Sequence, residues 1–174
     1  VTLGEGMSSM RLDEDRGFLF ITSKLVNRIW VIDVRDDSTD TFEDSNVLDL
    51  EAVIELDGLS GGYGFRDLVI SPQRGLAYVS TNEPDGLVVL DLSLVVDDAT
   101  KDVVEDAAIG SIALPDADRD RGTNTSADVG AAGLALSADE NLLLATHFRD
   151  NSLVAVDLTL GPYGEVIRRV DALG

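Results

Sequence analysis

Residues 64–92 read GFRDLVISPQRGLAYVSTNEPDGLVVLDL, and this stretch decides the fold because its pattern occurs twice more in the chain. Residues 6–34 (GMSSMRLDEDRGFLFITSKLVNRIWVIDV) and 130–158 (GAAGLALSADENLLLATHFRDNSLVAVDL) align with it without gaps. Apolar residues recur at matched places; Leu68, for example, corresponds to Met10 and Leu134. Because repeats of this length build repetitive architectures, each copy is expected to form one structural unit.

Each copy carries the pattern of several short β-strands. It opens with apolar residues two apart, such as Leu68 and Ile70, which share one face of an extended chain. A polar turn follows, and then two continuous apolar runs, 76–79 and 87–90, typical of strands covered on both faces. A weaker fourth strand is expected at 107–114. The corresponding segments are 18–21, 29–32 and 47–56 in the first copy and 142–145, 153–156 and 165–170 in the third.

Four antiparallel strands per copy, with apolar inner strands, are typical of β-propeller blades. We therefore predict an all-β chain in which residues 1–174 form a single propeller segment of three four-stranded blades, with repeats at about 4–57, 62–115 and 128–173. Closed propellers have roughly four to eight blades, so further blades are required. They come from the same longer chain or from a homodimer of six blades. We favour the longer chain, because no initiator Met is present and the sequence opens just before a blade.

Two segments of the second copy resemble a known repeat. Residues 78–82 (YVSTN) followed by 86–91 (GLVVLD) are similar to the YVTN-type β-propeller repeat, and residues 20–23 with 29–33 form a looser version. Residues 144–147 (LATH) depart from it. The resemblance implies a surface-layer or secreted propeller protein, placed outside the cell, in the periplasm or on the cell surface. Many members of that family are binding modules, and related propellers include lactonase-like enzymes.

Composition excludes several classes of function. The chain has 174 residues and a formal net charge of -20, with 13 Lys+Arg against 33 Asp+Glu, so it repels phosphate backbones and no nucleic-acid partner is expected. Its longest run without charge, 129–138, is too short for a membrane span of about 20 residues. Without Cys it can form no disulfide. The acidic surface favours either a marine or halophilic source or an exported protein that binds divalent cations nonspecifically.

Two residue types stand at the same aligned position in all three copies. One is a glycine just before the first strand, where a free φ permits a tight turn. The other is an aspartate after the third strand, where its carboxylate can accept hydrogen bonds from amides of the next turn. A residue present in every blade is expected to serve the structure. These residues are Gly6, Gly64 and Gly130, and Asp33, Asp91 and Asp157.

The connector between the second and third copies carries a candidate metal site. Asp116, Asp118 and Asp120 alternate along it, and Asp128 follows. Ca²⁺ takes about six to eight oxygen ligands from a flexible loop, so these carboxylates are the candidate ligands and Ca²⁺ is the one cofactor that the sequence raises. Two interleaved arginines would repel a cation. The alternative is a solvated acidic loop, and both interpretations stay open.

The ligand-binding candidates lie where the copies differ. His147, the one histidine, is expected in the turn between the second and third strands of the third blade, on the same rim as Arg149, Asp150 and the interblade connectors. Arg66 and Asp67 begin the innermost strand of the second blade and are expected near the central channel. The alternatives are an ordinary polar turn at His147 and a local ion pair between Arg66 and Asp67. No G-x-S-x-G elbow is present, so no catalytic residue is assigned.

These observations predict a noncatalytic binding or interaction module of an exported or cell-surface protein. Its loop rim would present residues to a protein, a glycan or a small ligand. The sequence contains no nucleotide-binding loop and no HExxH motif that would indicate catalysis. Propeller rims commonly bind ligands. The alternative is a lactonase-like or other metal-dependent hydrolase, in which a cation polarises a carbonyl group.

Overall fold

The structure is a computed structural model. It describes residues 6–35, 49–56, 64–81, 86–95, 103–104, 106–114, 131–147 and 151–171. In these ranges almost all regular structure is β-strand, and no helix is long and apolar enough to cross a membrane. The strands are β1 (Met7–Asp13), β2 (Phe18–Ser23), β3 (Arg28–Asp33), β4 (Asp49–Glu55), β5 (Phe65–Ser71), β6 (Leu76–Thr81), β7 (Gly86–Asp91), β8 (Val103–Val104), β9 (Ala108–Ala113), β10 (Ala131–Leu136), β11 (Leu142–His147), β12 (Ser152–Asp157) and β13 (Glu165–Asp171).

The strands form three antiparallel four-stranded sheets, which confirms the predicted blades. Blade 1 has the order β1-β2-β3-β4, blade 2 the order β5-β6-β7-β9, and blade 3 the order β10-β11-β12-β13. The two-residue strand β8 adds to blade 1 by pairing in parallel with β4, which the repeat did not predict. A 3₁₀ helix, Leu92–Leu94, follows β7. Neighbouring strands within each blade are consecutive along the described chain, with β8 as the exception, so the sheets are meanders typical of a β-propeller-like fold.

The second strand of each blade is two residues longer than predicted. The extra residues are polar, so the sequence favoured a turn, but the backbone ladder continues through them because the first strand still offers a partner. Ser23, Thr81 and His147 pair with Met7, Phe65 and Ala131, respectively. The position that the repeat alignment gave to the turn therefore belongs to the end of a strand.

The core lies between blades. Alternating residues of β6 face opposite ways: Val79 packs with Phe20 in a cluster between blades 1 and 2, while Tyr78 packs with Val154 between blades 2 and 3. These four side chains are at most 1% exposed. Blade 2 is thus apolar on both faces, as expected for a blade with a neighbour on each side.

The outward faces of the two terminal blades are also apolar. On blade 3, Leu153 and Val170 pair across strands and remain 37% and 47% exposed. On blade 1, Met10 and Leu12 are 61% and 50% exposed. They pair across strands with Ile21 and Leu19, which belong to a third apolar cluster together with Trp30. Both faces have the character of blade surfaces that normally pack against another blade.

The recurring aspartates have the structural role predicted for them. Each accepts a 2.8 Å hydrogen bond from the backbone amide two residues later, on Arg35, Ser93 or Thr159. Hydrogen bonds from the Ser93 hydroxyl and amide, with a smaller effect of the Arg16 charge, lower the pKa of Asp91. The Thr159 hydroxyl and amide, then Arg74, lower the pKa of Asp157 in the same way. Arg16 and Arg74 each belong to the preceding blade, so this part of the electrostatic effect acts from one blade to the next.

The recurring glycines stand at positive φ where they are described. Gly6 has φ +79° and Gly64 has φ +73°. A Cβ on Gly64 would collide with the backbone of Lys24, in the β2–β3 turn of blade 1. The glycine therefore permits both a left-handed backbone conformation just before β5 and the close approach of two blades. Gly130 lies outside the described residues.

Candidate functional site

The first strands of the three blades converge at the centre of the arc, since β5 contacts both β1 and β10. In a propeller, the innermost strands surround the central channel. Polar side chains on these strands are therefore the residues of the described chain closest to that channel. They are the starting point for a candidate site.

Asp67 on β5 ties all three blades together. Its Oδ1 accepts hydrogen bonds from Ser9 Oγ of blade 1 at 2.6 Å and from the Leu68 amide at 2.9 Å. Its Oδ2 accepts one from the Leu134 amide of blade 3 at 2.9 Å. Arg11 of blade 1 adds an ion pair, with Nη2 at 2.9 Å from Oδ1. Although Asp67 is only 8% exposed, its charge is matched by a cation and several donors, as a buried carboxylate requires.

Hydroxyl groups on neighbouring strands support this arrangement. Ser80 Oγ accepts a hydrogen bond from the Asp67 amide at 2.9 Å and lies 3.3 Å from the Ala132 carbonyl of blade 3. Ser8 Oγ donates to the Phe65 carbonyl at 2.6 Å, which links blade 1 to blade 2. The innermost strands are thus fixed to each other by side chains as well as by packing.

Arg11 presents a positively charged group at the surface of this centre. Its Nη1 donates to the Met10 carbonyl at 2.9 Å, and its Nη2 contacts Asp67. The Arg11 side chain keeps 42% of its surface exposed, whereas that of Asp67 keeps 12%. The guanidinium is therefore held in one orientation and still reaches solvent.

A cavity of about 400 Å³ opens beside Arg11, on the side of the turns between first and second strands. Its walls come from all three innermost strands and from the first turn of blades 1 and 2. Such a volume is in the range of small-molecule sites. The lining residues are Arg11, Leu12, Asp13, Glu14, Asp15, Val69, Ile70, Pro72 and Leu136.

The charged groups of this cavity are unequally paired. Asp13 is 2% exposed and is held by Arg16, whose Nη1 lies 2.8 Å from its Oδ2. Arg11 is matched by Asp67. Glu14 and Asp15 are exposed and form no ion pair within the described ranges of the chain. The two remaining carboxylates give the cavity a negative potential.

A second polar contact joins blades 2 and 3 on the same side. Glu140, at φ +55° and 9% exposed, accepts hydrogen bonds from Ser71 Oγ at 2.5 Å and from the Gln73 amide at 3.2 Å. Arg74 Nε donates to the Glu140 carbonyl at 3.2 Å. This contact joins the first turn of blade 2, which lines the cavity through Pro72, to the first turn of blade 3.

Asp67 lies at the centre of the arc, and its ion pair is made across blades. The sequence allowed a local ion pair between Asp67 and Arg66. The structure instead pairs Asp67 with Arg11, which is 56 residues earlier. The first strands converge, so a residue on β1 comes closer to the Asp67 carboxylate than sequence distance suggests. Arg66 is half-buried on the same strand.

His147 does not lie in a turn. It is the last residue of β11, pairs with Ala131 and is 3% exposed, because the ladder between the first two strands extends through it. Its expected neighbours on the rim, Arg149 and Asp150, lie outside the described residues. The rim proposed from sequence therefore stays a prediction.

The calcium prediction also falls outside the described residues, since Asp116, Asp118, Asp120 and Asp128 all belong to the range 115–130. Among the residues that are described, no group of three or more His, Asp or Glu side chains is arranged to hold a metal ion.

Two residues of the contacts between blades were missed by the sequence reasoning, although the aligned copies contain a signal for them. Arg11 stands where the other blades have Val69 and Ala135, and Glu140 stands where they have Arg16 and Arg74. Both break the repeat with a change of charge. A systematic comparison of charge at each aligned position would have selected them.

Comparison with known proteins shows the fold. No family model matches the chain, and no curated protein matches it in sequence. Among solved structures, a protein from Lactobacillus plantarum matches with TM-score 0.65 and 20% identity over 94% of this chain and 41% of its own. The periplasmic gluconolactonase PpgL of Pseudomonas aeruginosa matches with TM-score 0.60 and 18% identity over 94% and 40%. A protein of Bacteroides uniformis provisionally named a 6-phosphogluconolactonase matches with TM-score 0.54 and 18% identity over 92% and 39%.

These matches correct the expectation of a noncatalytic binding module. Three of the matched structures are named as lactonases, which favours the alternative interpretation. The chain spans about two fifths of the length of the structures it matches. It is therefore a three-blade β-propeller-like arc with the fold of part of those larger proteins.

Proposed function

We propose that this chain is an arc of a larger propeller enzyme that hydrolyses the ester bond of a sugar lactone. The observation that carries the proposal is the cavity beside Arg11, which lies where the innermost strands converge in a fold shared with lactonase-named structures. Concave sites with a few fixed polar groups are the usual position for small substrates.

The proposed ring is larger than three blades. Three blades that match 41% of a neighbour's length correspond to about seven blades in all, within the range that closed propellers adopt. The exposed apolar faces of blades 1 and 3 support this, because each has the side chains that a further blade would cover. The additional blades complete the wall of the cavity.

The chemistry that this site would perform is acyl transfer to water. The oxygen of water bonds to the lactone carbonyl carbon, the ring C–O bond breaks, the ring oxygen takes up a proton, and a hydroxy acid is released. Arg11 is the candidate to donate hydrogen bonds to the carbonyl oxygen as negative charge develops there. Glu14 and Asp15, in the cavity lining, are the candidates to accept the proton of water.

The name of the Pseudomonas neighbour supports a location outside the cytoplasm, in agreement with the exported character expected from the sequence. We therefore include export from the cytoplasm in the proposal. Fractionation of cells that express the intact protein tests this location.

The activity is tested by following acid release from glucono-1,5-lactone in a pH-stat with the intact protein, after subtracting spontaneous hydrolysis. Arg11→Met should lower kcat/KM by about 100-fold or more, since it removes a donor to the developing oxyanion. Arg11→Lys should recover part of the loss. The matched control is Arg28→Met, which removes an exposed arginine paired with Glu55 away from the cavity.

Two results would overturn the proposal. One is the absence of hydrolysis above the spontaneous rate by a folded wild-type protein. The other is an equal loss of activity in Arg11→Met and Arg28→Met, which would show that the loss does not depend on the cavity.

A further inference from the structure

The charges of the Arg11 cavity bear on which sugar it accepts. The neighbours' names include both an unphosphorylated and a phosphorylated lactone. These substrates have similar rings and differ by a phosphate of about -2 charge at neutral pH. A site for the second needs cations that are free to bind phosphate.

Within the described residues, the cavity has the opposite character. Arg11 is its lining cation, and that charge is already matched by Asp67 at 2.9 Å. Asp13 is likewise matched by Arg16. Glu14 and Asp15 remain as carboxylates without an ion pair among the described residues. The 174-residue chain as a whole carries a net charge of -20.

We propose that the cavity selects neutral sugar rings and discriminates against phosphorylated ones, through Glu14 and Asp15. This inference rests on the proposed function, because it assigns the substrate class of the same site. Repulsion between a phosphate dianion and two carboxylates at cavity distances corresponds to at least about tenfold weaker binding at low ionic strength. Neutral polyols are not repelled in this way and can donate hydrogen bonds to the same carboxylates.

The test measures binding without turnover. The probes are 1,5-anhydroglucitol, a sugar ring that lacks the reactive carbonyl, and its 6-phosphate, titrated into the intact protein by calorimetry. We expect the neutral ring to bind at least about tenfold more tightly in low salt. About 1 M NaCl should narrow the difference, since the Debye length falls to about 3 Å. Glu14→Gln combined with Asp15→Asn should also narrow the difference in affinity, because only the phosphorylated ring would bind more tightly.

Asp106→Asn combined with Glu165→Gln is the matched control, because both residues are exposed and lie outside the cavity lining. This control also removes two negative charges and should leave the ratio unchanged. Tighter or equal binding of the phosphate, or binding of neither probe, would overturn the inference. Binding of the neutral ring without any hydrolysis of glucono-1,5-lactone would overturn the proposed function and leave the binding selectivity standing.

Discussion

At the scale of single residues, Asp67 shows how one carboxylate can organise three repeats. The repeat places Ser9 and Gly133 at the equivalent positions of the other blades, so each blade contributes something different to one buried charge. Ser9 supplies a hydroxyl, and the strand that contains Gly133 supplies the Leu134 amide. Sequence reasoning found Asp67 as a break in the repeat. It could not find Arg11 as the partner, since that pair depends on how neighbouring blades pack, which the alignment of the copies does not give.

Asp67→Asn should destabilise the protein by about 2–4 kcal/mol, because a buried network loses its negative charge and one of its two acceptor oxygens. Leu68 N–H donates to one carboxylate oxygen and Leu134 N–H to the other. Whichever way an asparagine amide is turned, its NH₂ group faces a backbone N–H. Urea unfolding of the intact protein measures the loss.

Glu14→Gln is the control for Asp67→Asn. It removes the same unit of charge from an exposed side chain and should change the free energy of unfolding by less than about 0.5 kcal/mol. Equal effects of the two substitutions would show that Asp67 matters only through net charge.

At the scale of strands and turns, the aligned copies predict most of the fold. Alternating and continuous apolar runs place the four strands of each blade, and the fourth strands begin and end within two residues of the expected bounds. The ends of the second strands could not be predicted, because Ser23, Thr81 and His147 are polar and are held in the ladder by partners on another strand. The parallel strand β8 could not be predicted either, since it leaves the chain order of blade 2 to pair with β4 of the neighbouring blade 1.

Gly64 tests the idea that the residue just before the first strand of a blade also sets the contact between blades. Gly64→Ala should destabilise the protein by at least about 2 kcal/mol more than Gly161→Ala. Both glycines have positive φ, but a Cβ at Gly161 would meet only the flexible Glu165 side chain at 3.2 Å, whereas one at Gly64 would collide with the Lys24 backbone. Thermal unfolding of the two variants separates the cost of a positive φ from the cost of a collision with the Lys24 backbone. Equal costs would show that blades 1 and 2 can separate at this point.

At the scale of the whole molecule, the number of blades limits what the sequence could tell about function. The repeat alone predicts three blades, and it equally permits a longer chain or a dimer. The alignment treats the blades as equivalent, while the cavity is formed by their differences, such as Arg11 and the charged first turn of blade 1. A binding module was therefore the natural expectation. The lactonase names belong to larger structures that share the fold of this chain, and the enzymatic role is a proposal that starts from them.

The most direct test of the account is a crystal structure of the intact protein with 1,5-anhydroglucitol bound. We predict a closed ring of about seven blades in which further blades cover Leu153 on blade 3 and Met10 on blade 1. The sugar should lie in the cavity with a hydroxyl or ring oxygen hydrogen-bonded to Arg11. Terminal faces covered by something other than blades, or a sugar bound away from Arg11, would contradict the account.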